Sequence, residues 1–423
     1  MSKLVIDGNK VLNGVITASG AKNSALPIIV ASALAEEESL LRNVPHGTDV
    51  ETICSILSSL GAKVSWDGPG QLRVNGAGLK KSKAPYELVR KMRASFYVAG
   101  MLLGRLGEAV VPLPGGCSIG SRPVDFHIKG FEALGADVTL EHGSMKARAK
   151  RLTGSKYYVS RASVGATVNT MLAAVLADGT TVLENAAREP EVVDLANLLS
   201  AMGAKIRGAG MDVIRIEGVD RLHGTEHEII PDRIEVGSYL ILGAMVGGEV
   251  VVENAMGEHL RSVLASLEAI GVKIKESTTA IQVSRPDKLA PLNIVTQQYP
   301  GFPTDLQAPF SVLLTQADGV STVRETIFDG RFKYVDELRR MGADIQVERD
   351  TAIITGPAEL AGAPVEATDL RGGMALVIGA LSAQGRSEII GLEHIDRGYE
   401  NLEQKLQNLG ASVKRFRANA VRS

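Results

Sequence analysis

A cysteine lies on a loop rich in glycine and proline, in the stretch PLPGGCSIGSRPVD of residues 112–125. Cys117 is one of only two cysteines in the chain, and Arg122 follows it five residues later. The prolines and paired glycines exclude a helix or a central strand here. A guanidinium and backbone N–H groups nearby would stabilise a thiolate. The loop is therefore compatible with a reactive thiol and with a partly buried loop cysteine, and these residues alone favour neither.

The other cysteine and the histidines give weaker signals. Cys54 lies in TDVETICSILSSLGA at helical spacing with apolar residues, which indicates core packing. His223 and His227 are four residues apart, but Gly224 lies between them and the chain has no HExxH motif. We interpret both histidines as surface residues of a strand and a turn. We therefore predict no metal, and we predict no cofactor.

The composition narrows the class of protein. The chain has 423 residues, of which 45% are hydrophobic and 22% charged, as in soluble globular proteins with two or three domains. Its net charge of −2 argues against a nucleic-acid partner. No apolar run approaches the roughly 18 residues of a membrane span, and the opening MSKLVIDGNKVLNG lacks the apolar core of a secretory signal. Two cysteines make no disulfide framework, so we expect a cytoplasmic protein.

A short phrase that recurs six times organises the chain. Its copies are SSLGAKV, EALGADV, SAMGAKI, EAIGVKI, RRMGADI and QNLGASV, with glycines at Gly61, Gly135, Gly203, Gly271, Gly342 and Gly410. The intervals between these glycines are 68 to 74 residues. In each copy an amphipathic run ends at the glycine and alternating apolar positions follow. This pattern predicts a helix with a glycine at its C-terminus and then a strand.

A second type of helix is apolar on nearly every face and must be buried. Its copies include NSALPIIVASALA, ASFYVAGMLLG, ATVNTMLAAVLA, VGSYLILGAMVGG, APFSVLLTQADG and GGMALVIGALSAQG. We therefore predict an α/β fold with two domains, each with three repeated units whose sheets lie outside buried helices. The first domain would span residues 21–230 and carry the loop 112–125, and the second would combine residues 1–20 with 231–423. We expect a ligand site in the cleft between them.

The buried helices begin with polar residues. These openings are Lys22-Asn23-Ser24, Arg93-Ala94-Ser95, Ser163-Val164-Gly165, Arg233-Ile234-Glu235, Asp305-Leu306 and Asp369-Leu370-Arg371. If the three buried helices of a domain run parallel, their N-termini converge and attract anions. Cations lie in or beside these openings, at Lys22, Arg93, Arg122, Arg371 and Arg397. We predict a site for a phosphorylated, multiply anionic substrate, although neither a GxGxxG nor a GxxxxGK[ST] motif is present.

Several long motifs resemble the UDP-N-acetylglucosamine 1-carboxyvinyltransferase family of enolpyruvyl transferases over essentially the whole chain. They are PLPGGCSIGSRPVDFHI, SGAKNSALP, MRASFYV, SVGATVN, ENAAREPEVVD, YPGFPTDLQAP, ETIFDGRF and ATDLRGGMALV. The resemblance implies two inside-out α/β domains of three repeats each. It also implies transfer of the enolpyruvyl group of phosphoenolpyruvate to the 3′-hydroxyl of UDP-N-acetylglucosamine with release of phosphate. That reaction is the first committed step of peptidoglycan precursor synthesis.

The resemblance also implies residue roles. Cys117 would protonate C3 of phosphoenolpyruvate and be the target of fosfomycin, and Asp305 would be either the base or an orienting group. The residues similar to the phosphoenolpyruvate site are Lys22, Asn23, Arg122, Arg371 and Arg397, of which Lys22 and Arg397 also count as catalytic. The residues similar to the sugar-nucleotide site are Asn23, Arg93, Arg122, Pro123, Val124, Asp125, Phe126, Arg161, Ala162, Ser163, Val164, Gly165, Asp305 and Ile327.

Two departures from the family and three alternatives accompany this interpretation. Arg161 stands where lysine is common and Phe126 where leucine is common, which leaves nucleotide affinity open. One alternative is 5-enolpyruvylshikimate-3-phosphate synthase, which shares the fold and the donor but has no counterpart to PGGC. A catalytically silent repeat protein is a second, although such a scaffold has no need of Cys117 and Asp305 together. A second copy of the transferase in one cell is the third, and the oligomeric state stays open.

Overall fold

The structure is a computed structural model that describes residues 2–114 and 124–417. The predicted site residues Cys117, Arg122 and Pro123 lie outside the described residues. The described chain divides into two compact units. The first unit holds residues 20–114 and 124–230, and the second unit holds residues 2–19 and 231–417. The predicted cleft between the domains stays a prediction.

Short strands make up the sheets of both units. In chain order the strands of the described residues are β1 (Lys3–Asp7), β2 (Gly14–Thr17), β3 (Glu38–Arg42), β4 (Lys63–Gly68), β5 (Gln71–Asn75), β6 (Glu108–Pro112), β7 (Asp137–Glu141), β8 (Ser144–Arg148), β9 (Lys156–Tyr158), β10 (Thr180–Glu184), β11 (Lys205–Arg207), β12 (Val213–Glu217), β13 (Glu226–Glu228), β14 (Glu249–Glu253), β15 (Lys273–Glu276), β16 (Ala280–Ser284), β17 (Asn293–Val295), β18 (Gly319–Arg324), β19 (Asp344–Glu348), β20 (Thr351–Gly356), β21 (Pro364–Glu366), β22 (Arg386–Ile390) and β23 (Ser412–Phe416).

Helices connect these strands. The α-helices of the described residues are α1 (Lys22–Ser32), α2 (Thr48–Leu60), α3 (Tyr86–Val89), α4 (Val98–Leu106), α5 (Asp125–Ala133), α6 (Val164–Ala174), α7 (Pro190–Ala201), α8 (Arg233–Val246), α9 (Arg261–Ala269), α10 (Gln307–Leu314), α11 (Tyr334–Arg340), α12 (Leu370–Ser382), α13 (Leu392–Ile395) and α14 (Leu402–Asn408). Three 3₁₀ helices of the same residues are Arg93–Tyr97, Gly257–Leu260 and Thr304–Leu306.

Within the described residues the strands form six sheets, three in each unit, which confirms the predicted repeat. In the first unit the strand orders are β13-β3-β5-β4, β6-β8-β7 and β11-β12-β10-β9. In the second unit they are β15-β16-β14-β2, β17-β18-β20-β19 and β21-β22-β1-β23. The four-stranded sheets combine antiparallel pairs with one parallel edge, as β10 shows by pairing antiparallel with β12 and parallel with β9. The first two strands of the chain, β1 and β2, complete two sheets of the second unit.

The repeated glycines follow the ends of six helices, α2, α5, α7, α9, α11 and α14, as the repeated pattern predicted. We call these the outer helices. Each of the glycines has a positive φ, a backbone conformation that residues with a Cβ rarely adopt. These angles are 110° at Gly61, 84° at Gly135, 103° at Gly203, 97° at Gly271, 96° at Gly342 and 89° at Gly410. A strand begins two residues after each glycine, for example β4 after Gly61 and β23 after Gly410. The glycine therefore turns the chain from a helix into the next strand of its own unit.

The second type of helix forms the two cores. In the first unit α1, α4 and α6 are largely buried, and in the second unit α8, α10 and α12 are. Every residue of α8 from Ile234 to Val246 is buried, so this helix has no solvent face. Strands such as β14 alternate between buried and exposed residues, as expected of a sheet with one face against the helices.

Cys54 packs against the core of the first unit, as predicted. None of the described helices has the length and apolarity that crossing a membrane requires.

We predict that Gly61→Ala destabilises the chain more than Gly135→Ala does. Alanine is strained at both positive φ values, but at residue 61 its Cβ would also lie 2.3 Å from the carbonyl oxygen of Gly78. At residue 135 no described atom lies within 4 Å of the added Cβ. Urea denaturation followed by circular dichroism should show losses of about 1 kcal/mol for Gly135→Ala and about 2–3 kcal/mol for Gly61→Ala. Equal losses would contradict the close approach of Gly78.

Candidate active site

The first cation of the candidate site is the first residue of α1. The Nζ atom of Lys22 lies 3.2 Å from Oδ2 of Asp49, near the start of α2. The two side chains are 12% and 8% exposed. Asn23 follows in the same helical turn and is half-buried. Because α1 has no acidic residue in its first turn, the N-terminal N–H groups and the Lys22 ammonium together favour an anion at this end of the helix.

A buried hydrogen-bond network supports this first turn. The Ser24 hydroxyl donates to Oδ2 of Asp194 over 2.5 Å, and Oδ1 of Asp194 lies 2.8 Å from Nε2 of His227. Asp194 is only 2% exposed. The interpretation of His227 as a surface residue was therefore wrong, because this residue of β13 places its ring against the buried carboxylate of Asp194 on α7. His223 is exposed, as predicted. The four-residue spacing of the two histidines could not reveal Asp194, which lies more than 25 residues away in the sequence.

Arg93 begins a 3₁₀ helix that a second buried network holds. Burial, with a smaller contribution from the charge of Arg93, lowers the pKa of His127 to about 3, so this ring is neutral. The Nδ2 atom of Asn169 lies 2.9 Å from Nδ1 of His127 and donates to the carbonyl of Phe96 over 3.2 Å. The amide oxygen of Asn169 accepts from the N–H of Gly100 over 2.8 Å. One asparagine of α6 thus fixes both the 3₁₀ helix that begins at Arg93 and the histidine of α5.

The start of α6 carries several residues that were predicted for the sugar-nucleotide site. Ser163 caps this helix, since its side-chain oxygen accepts from the N–H of Ala166 over 3.3 Å. A Cβ at Gly165 would lie 2.9 Å from Cε1 of His127, so the close approach of the ring requires glycine there. Ala162, Ser163 and Val164 are half-buried. Arg161 is exposed. The N-terminus of α6 therefore presents backbone N–H groups beside a neutral imidazole.

Three further residues predicted for the sugar-nucleotide site lie at the start of α5. Val124 precedes this helix, Asp125 is its first residue, and both are half-buried together with Phe126. The carbonyl of Phe126 accepts from the Tyr157 hydroxyl over 2.8 Å. Burial, with a smaller contribution from Asp125, raises the pKa of Tyr157 to about 12, so its hydroxyl remains a donor. The Oδ1 atom of Asp125 is buried without a hydrogen-bond partner among the described residues, as expected of an atom that contacts a ligand.

The second unit brings Asp305 between two buried arginines. Oδ1 of Asp305 lies 2.7 Å from Nη2 of Arg331, and Oδ2 lies 3.2 Å from Nε and 3.1 Å from Nη2 of Arg371. Both arginine side chains are 4% exposed, whereas the Asp305 side chain is 26% exposed. The Asp305 carboxylate therefore compensates part of the charge of two buried guanidinium groups.

Each arginine keeps an N–H group for a further acceptor. Nε of Arg331 and Nη1 of Arg371 are buried without a hydrogen-bond partner among the described residues. Such donors are costly to bury unpaired, so a ligand oxygen is a natural acceptor for them. Arg371 was predicted from its place at the start of a buried helix. Arg331 was not predicted, because it lies before α11 and not at the start of a buried helix, although the motif ETIFDGRF contains it.

Arg371 is fixed from both its main chain and its side chain. Its backbone N–H donates to Oδ1 of Asp369, the residue that caps α12, over 2.9 Å. Its guanidinium lies 5.5 Å from the centre of the Tyr399 ring. The Tyr399 hydroxyl lies 2.8 Å from Oγ of Ser238, and burial raises the pKa of Tyr399. Sequence analysis missed Tyr399, although it lies two residues after the predicted Arg397, which is half-buried.

One more residue predicted for the sugar-nucleotide site, Ile327, lies in the second unit. Ile327 is half-buried in the segment after β18, and its N–H donates to Oε1 of Glu325 over 2.8 Å. Burial raises the pKa of the Cys54 thiol to about 12, which makes this cysteine inert at neutral pH. The described residues contain no group of three or more His, Cys, Asp or Glu side chains that could hold a metal ion.

Comparisons with known proteins show which proteins the chain is similar to. The family model of EPSP synthase (3-phosphoshikimate 1-carboxyvinyltransferase) matches residues 6–406. A UDP-N-acetylglucosamine 1-carboxyvinyltransferase 2 of Symbiobacterium thermophilum is 54% identical over 415 residues, which cover 98% of each chain. A UDP-N-acetylglucosamine 1-carboxyvinyltransferase of Halothermothrix orenii is 51% identical over 417 residues, which cover 99% of this chain and 100% of that one.

Solved structures share the fold. The enolpyruvyl transferase NikO from Streptomyces tendae superposes with a TM-score of 0.90 at 25% identity, over 99% of each chain. An EPSP synthase from Acinetobacter baumannii has a TM-score of 0.76 at 19% identity, over 99% of this chain and 100% of that one, and this likeness concerns the fold alone.

The lowered pKa of His127 predicts a pH-dependent stability. The unfolded chain binds a proton on this histidine below its ordinary pKa of 6.5, whereas the folded chain does so only near pH 3. The free energy of unfolding therefore falls as the pH falls through 6.5. Urea denaturation at about pH 7.5 and about pH 5.5 should show that the wild type loses about 1.4 kcal/mol more than His127→Asn. Asparagine keeps an acceptor for Asn169 without titrating, and equal losses in both proteins would contradict the assignment.

Proposed function

The chain belongs to the UDP-N-acetylglucosamine 1-carboxyvinyltransferases within the EPSP synthase family, and from this premise we propose its reaction. It is a transferase that moves the enolpyruvyl group of phosphoenolpyruvate to the 3′-hydroxyl of UDP-N-acetylglucosamine and releases phosphate. The observation that carries this proposal is an identity above 50% over nearly the full length of relatives with that name. The EPSP synthase structure supports a common fold but not a shikimate acceptor, since its identity is only 19%.

The proposed chemistry is an addition followed by an elimination. The 3′-oxygen bonds to C2 of phosphoenolpyruvate while C3 gains a proton, and phosphate then leaves as C3 loses a proton. Asp305 takes the proton of the 3′-hydroxyl. Arg331 and Arg371 hold both oxygens of this carboxylate, so its position is fixed before a substrate binds. The role of an orienting group for the hydroxyl remains compatible with the same contacts.

Cations hold the donor in this proposal. Lys22, Arg122, Arg371 and Arg397 bind the carboxylate and the phosphate of phosphoenolpyruvate, and Asn23 assists them. The buried position of Lys22 beside Asp49 supports its part, because its ammonium needs no reorganisation when an anion arrives. The unpaired N–H of Arg371 supports a contact to a ligand oxygen. Lys22 and Arg397 also stabilise the charge that develops on the leaving phosphate.

Cys117 is the proposed acid that protonates C3, and it is the proposed target of fosfomycin. The inert Cys54 supports this assignment indirectly, because it leaves Cys117 as the thiol that can react. The proposed sugar-nucleotide contacts are Asn23, Arg93, Arg122, Pro123, Val124, Asp125, Phe126, Arg161, Ala162, Ser163, Val164, Gly165, Asp305 and Ile327. The N–H groups at the start of α6 support a diphosphate contact, and the buried Oδ1 of Asp125 supports a contact to a polar ligand group.

The proposed place of this reaction is the cytoplasm. Two cysteines without a disulfide framework suit a reducing compartment. The partners in this proposal are the two small-molecule substrates, without nucleic acid or a membrane. By committing UDP-N-acetylglucosamine to peptidoglycan, the reaction would serve cell-wall growth, cell shape and cell division.

Phosphate release tests the proposal. We expect the purified chain to release phosphate from phosphoenolpyruvate with UDP-N-acetylglucosamine and not with shikimate 3-phosphate. The reason is that the relatives with more than 50% sequence identity to this chain are named for the sugar nucleotide. Mass spectrometry should identify the enolpyruvyl ether of the sugar nucleotide as the second product. Release with shikimate 3-phosphate alone would refute the proposed acceptor. The control is Cys117→Ser, which should lose most turnover but retain nucleotide binding by calorimetry, since the thiol moves a proton.

A further inference from the structure

Glu325 is a buried carboxylate that the proposed mechanism does not use. It directly follows β18 and is 4% exposed. Its hydrogen-bond donors are two backbone N–H groups and two threonine hydroxyls. Burying a carboxylate is costly unless several donors satisfy it, so this set of contacts fixes the side chain in one position.

One carboxylate oxygen fixes the segment after β18. Oε1 of Glu325 accepts from the N–H of Ile327 over 2.8 Å and from the N–H of Phe328 over 3.1 Å. It also accepts from the Thr296 hydroxyl over 3.0 Å. Ile327, a proposed sugar-nucleotide contact, therefore owes its backbone position to this oxygen.

The other oxygen fixes a hydroxyl beside Asp305. The Thr304 hydroxyl donates to Oε2 of Glu325 over 2.7 Å, and Nη1 of Arg331 donates to the same hydroxyl over 2.7 Å. A hydroxyl carries a single proton, so its donation to Glu325 turns the lone pairs of Thr304 toward Arg331. The carboxylate thus sets the orientation in which Thr304 can accept.

Arg331 passes this orientation on to Asp305. Its guanidinium is planar, so fixing Nη1 on Thr304 also fixes Nη2, which lies 2.7 Å from Oδ1 of Asp305. Charges alternate along the path from Glu325 through Arg331 and Asp305 to Arg371. Removing the first charge would leave two buried guanidinium groups facing the single carboxylate of Asp305.

We infer that Glu325 is a positioning residue that couples the Ile327 segment to the Asp305 carboxylate. The inference rests on the proposed function, in which Ile327 contacts the sugar nucleotide and Asp305 faces its 3′-hydroxyl. Nucleotide affinity and proton removal then depend on one buried side chain that touches neither substrate. A carboxylate that merely fastened the end of β18 would stabilise the fold without affecting kcat.

Steady-state phosphate release by the full chain tests this coupling. Glu325→Gln keeps the shape and one acceptor oxygen but removes the charge, so we expect kcat about tenfold lower and KM for UDP-N-acetylglucosamine about tenfold higher. Thr304→Val removes the hydroxyl that joins Oε2 of Glu325 to Arg331 but leaves the contacts of Oε1 with the Ile327 segment, so kcat should fall about tenfold with KM within about twofold. Thr304→Ser keeps the hydroxyl and should restore kcat. Glu348→Gln, an exposed carboxylate on β19, should leave both constants unchanged.

The double variant Glu325→Gln/Thr304→Val sharpens the test. If the two residues act through one path, its kcat should be no lower than that of Glu325→Gln alone. Fully multiplicative losses, or a Glu325→Gln protein with a lower melting temperature but unchanged kcat and KM, would overturn the inference.

Should Glu325→Gln fail to fold, Thr304→Val and Thr304→Ser decide the question, since equal kcat in both overturns it. A wild type that releases no phosphate would overturn the proposed function and the inference with it, whereas an active wild type with unchanged variants overturns the inference alone.

Discussion

The carboxylate of Asp305 between the guanidinium groups of Arg331 and Arg371 is the interaction on which the second unit depends. Two arginine side chains that are 4% exposed need a negative partner, and Asp305 supplies it with both oxygens. Breaking such a buried pair leaves an uncompensated charge and costs about 3–5 kcal/mol. The three residues come from the 3₁₀ helix 304–306, the segment before α11 and the first turn of α12, so this requirement fixes three elements relative to one another. Among the described residues, the same arrangement leaves Nε of Arg331 and Nη1 of Arg371 without a hydrogen-bond partner.

The six-fold repeat explains how a chain with few aromatic residues reaches this arrangement. Helices such as α8 and α12 are buried on all sides, and small residues let neighbouring elements approach closely. A Cβ at Gly373, for example, would lie 2.6 Å from Cγ1 of Ile395. Each outer helix ends at a glycine with a positive φ, so every unit returns its chain into a strand at the same point.

Sequence reasoning succeeded where the signal was local and repeated. The glycine at the end of each outer helix and the unbroken apolarity of α8 are visible within a few residues, and both predictions were confirmed. It failed where the partner was distant. His227 looked like a surface residue because Asp194 belongs to another element, and Arg331 was missed because only the fold brings it to Asp305. The resemblance named Asp305 and Arg371 separately, but no spacing in the sequence shows that they share a hydrogen bond.

In the proposed reaction, the Asp305 carboxylate, held by two arginines, takes part in the transfer to the sugar hydroxyl. A direct measurement compares Asp305→Asn with the wild type for turnover and for binding of UDP-N-acetylglucosamine by calorimetry, after circular dichroism has shown that both are folded. Asparagine keeps the shape and removes the charge. We expect kcat to fall about 10²–10⁴-fold while the nucleotide still binds. A variant that keeps nearly the wild-type kcat would contradict it.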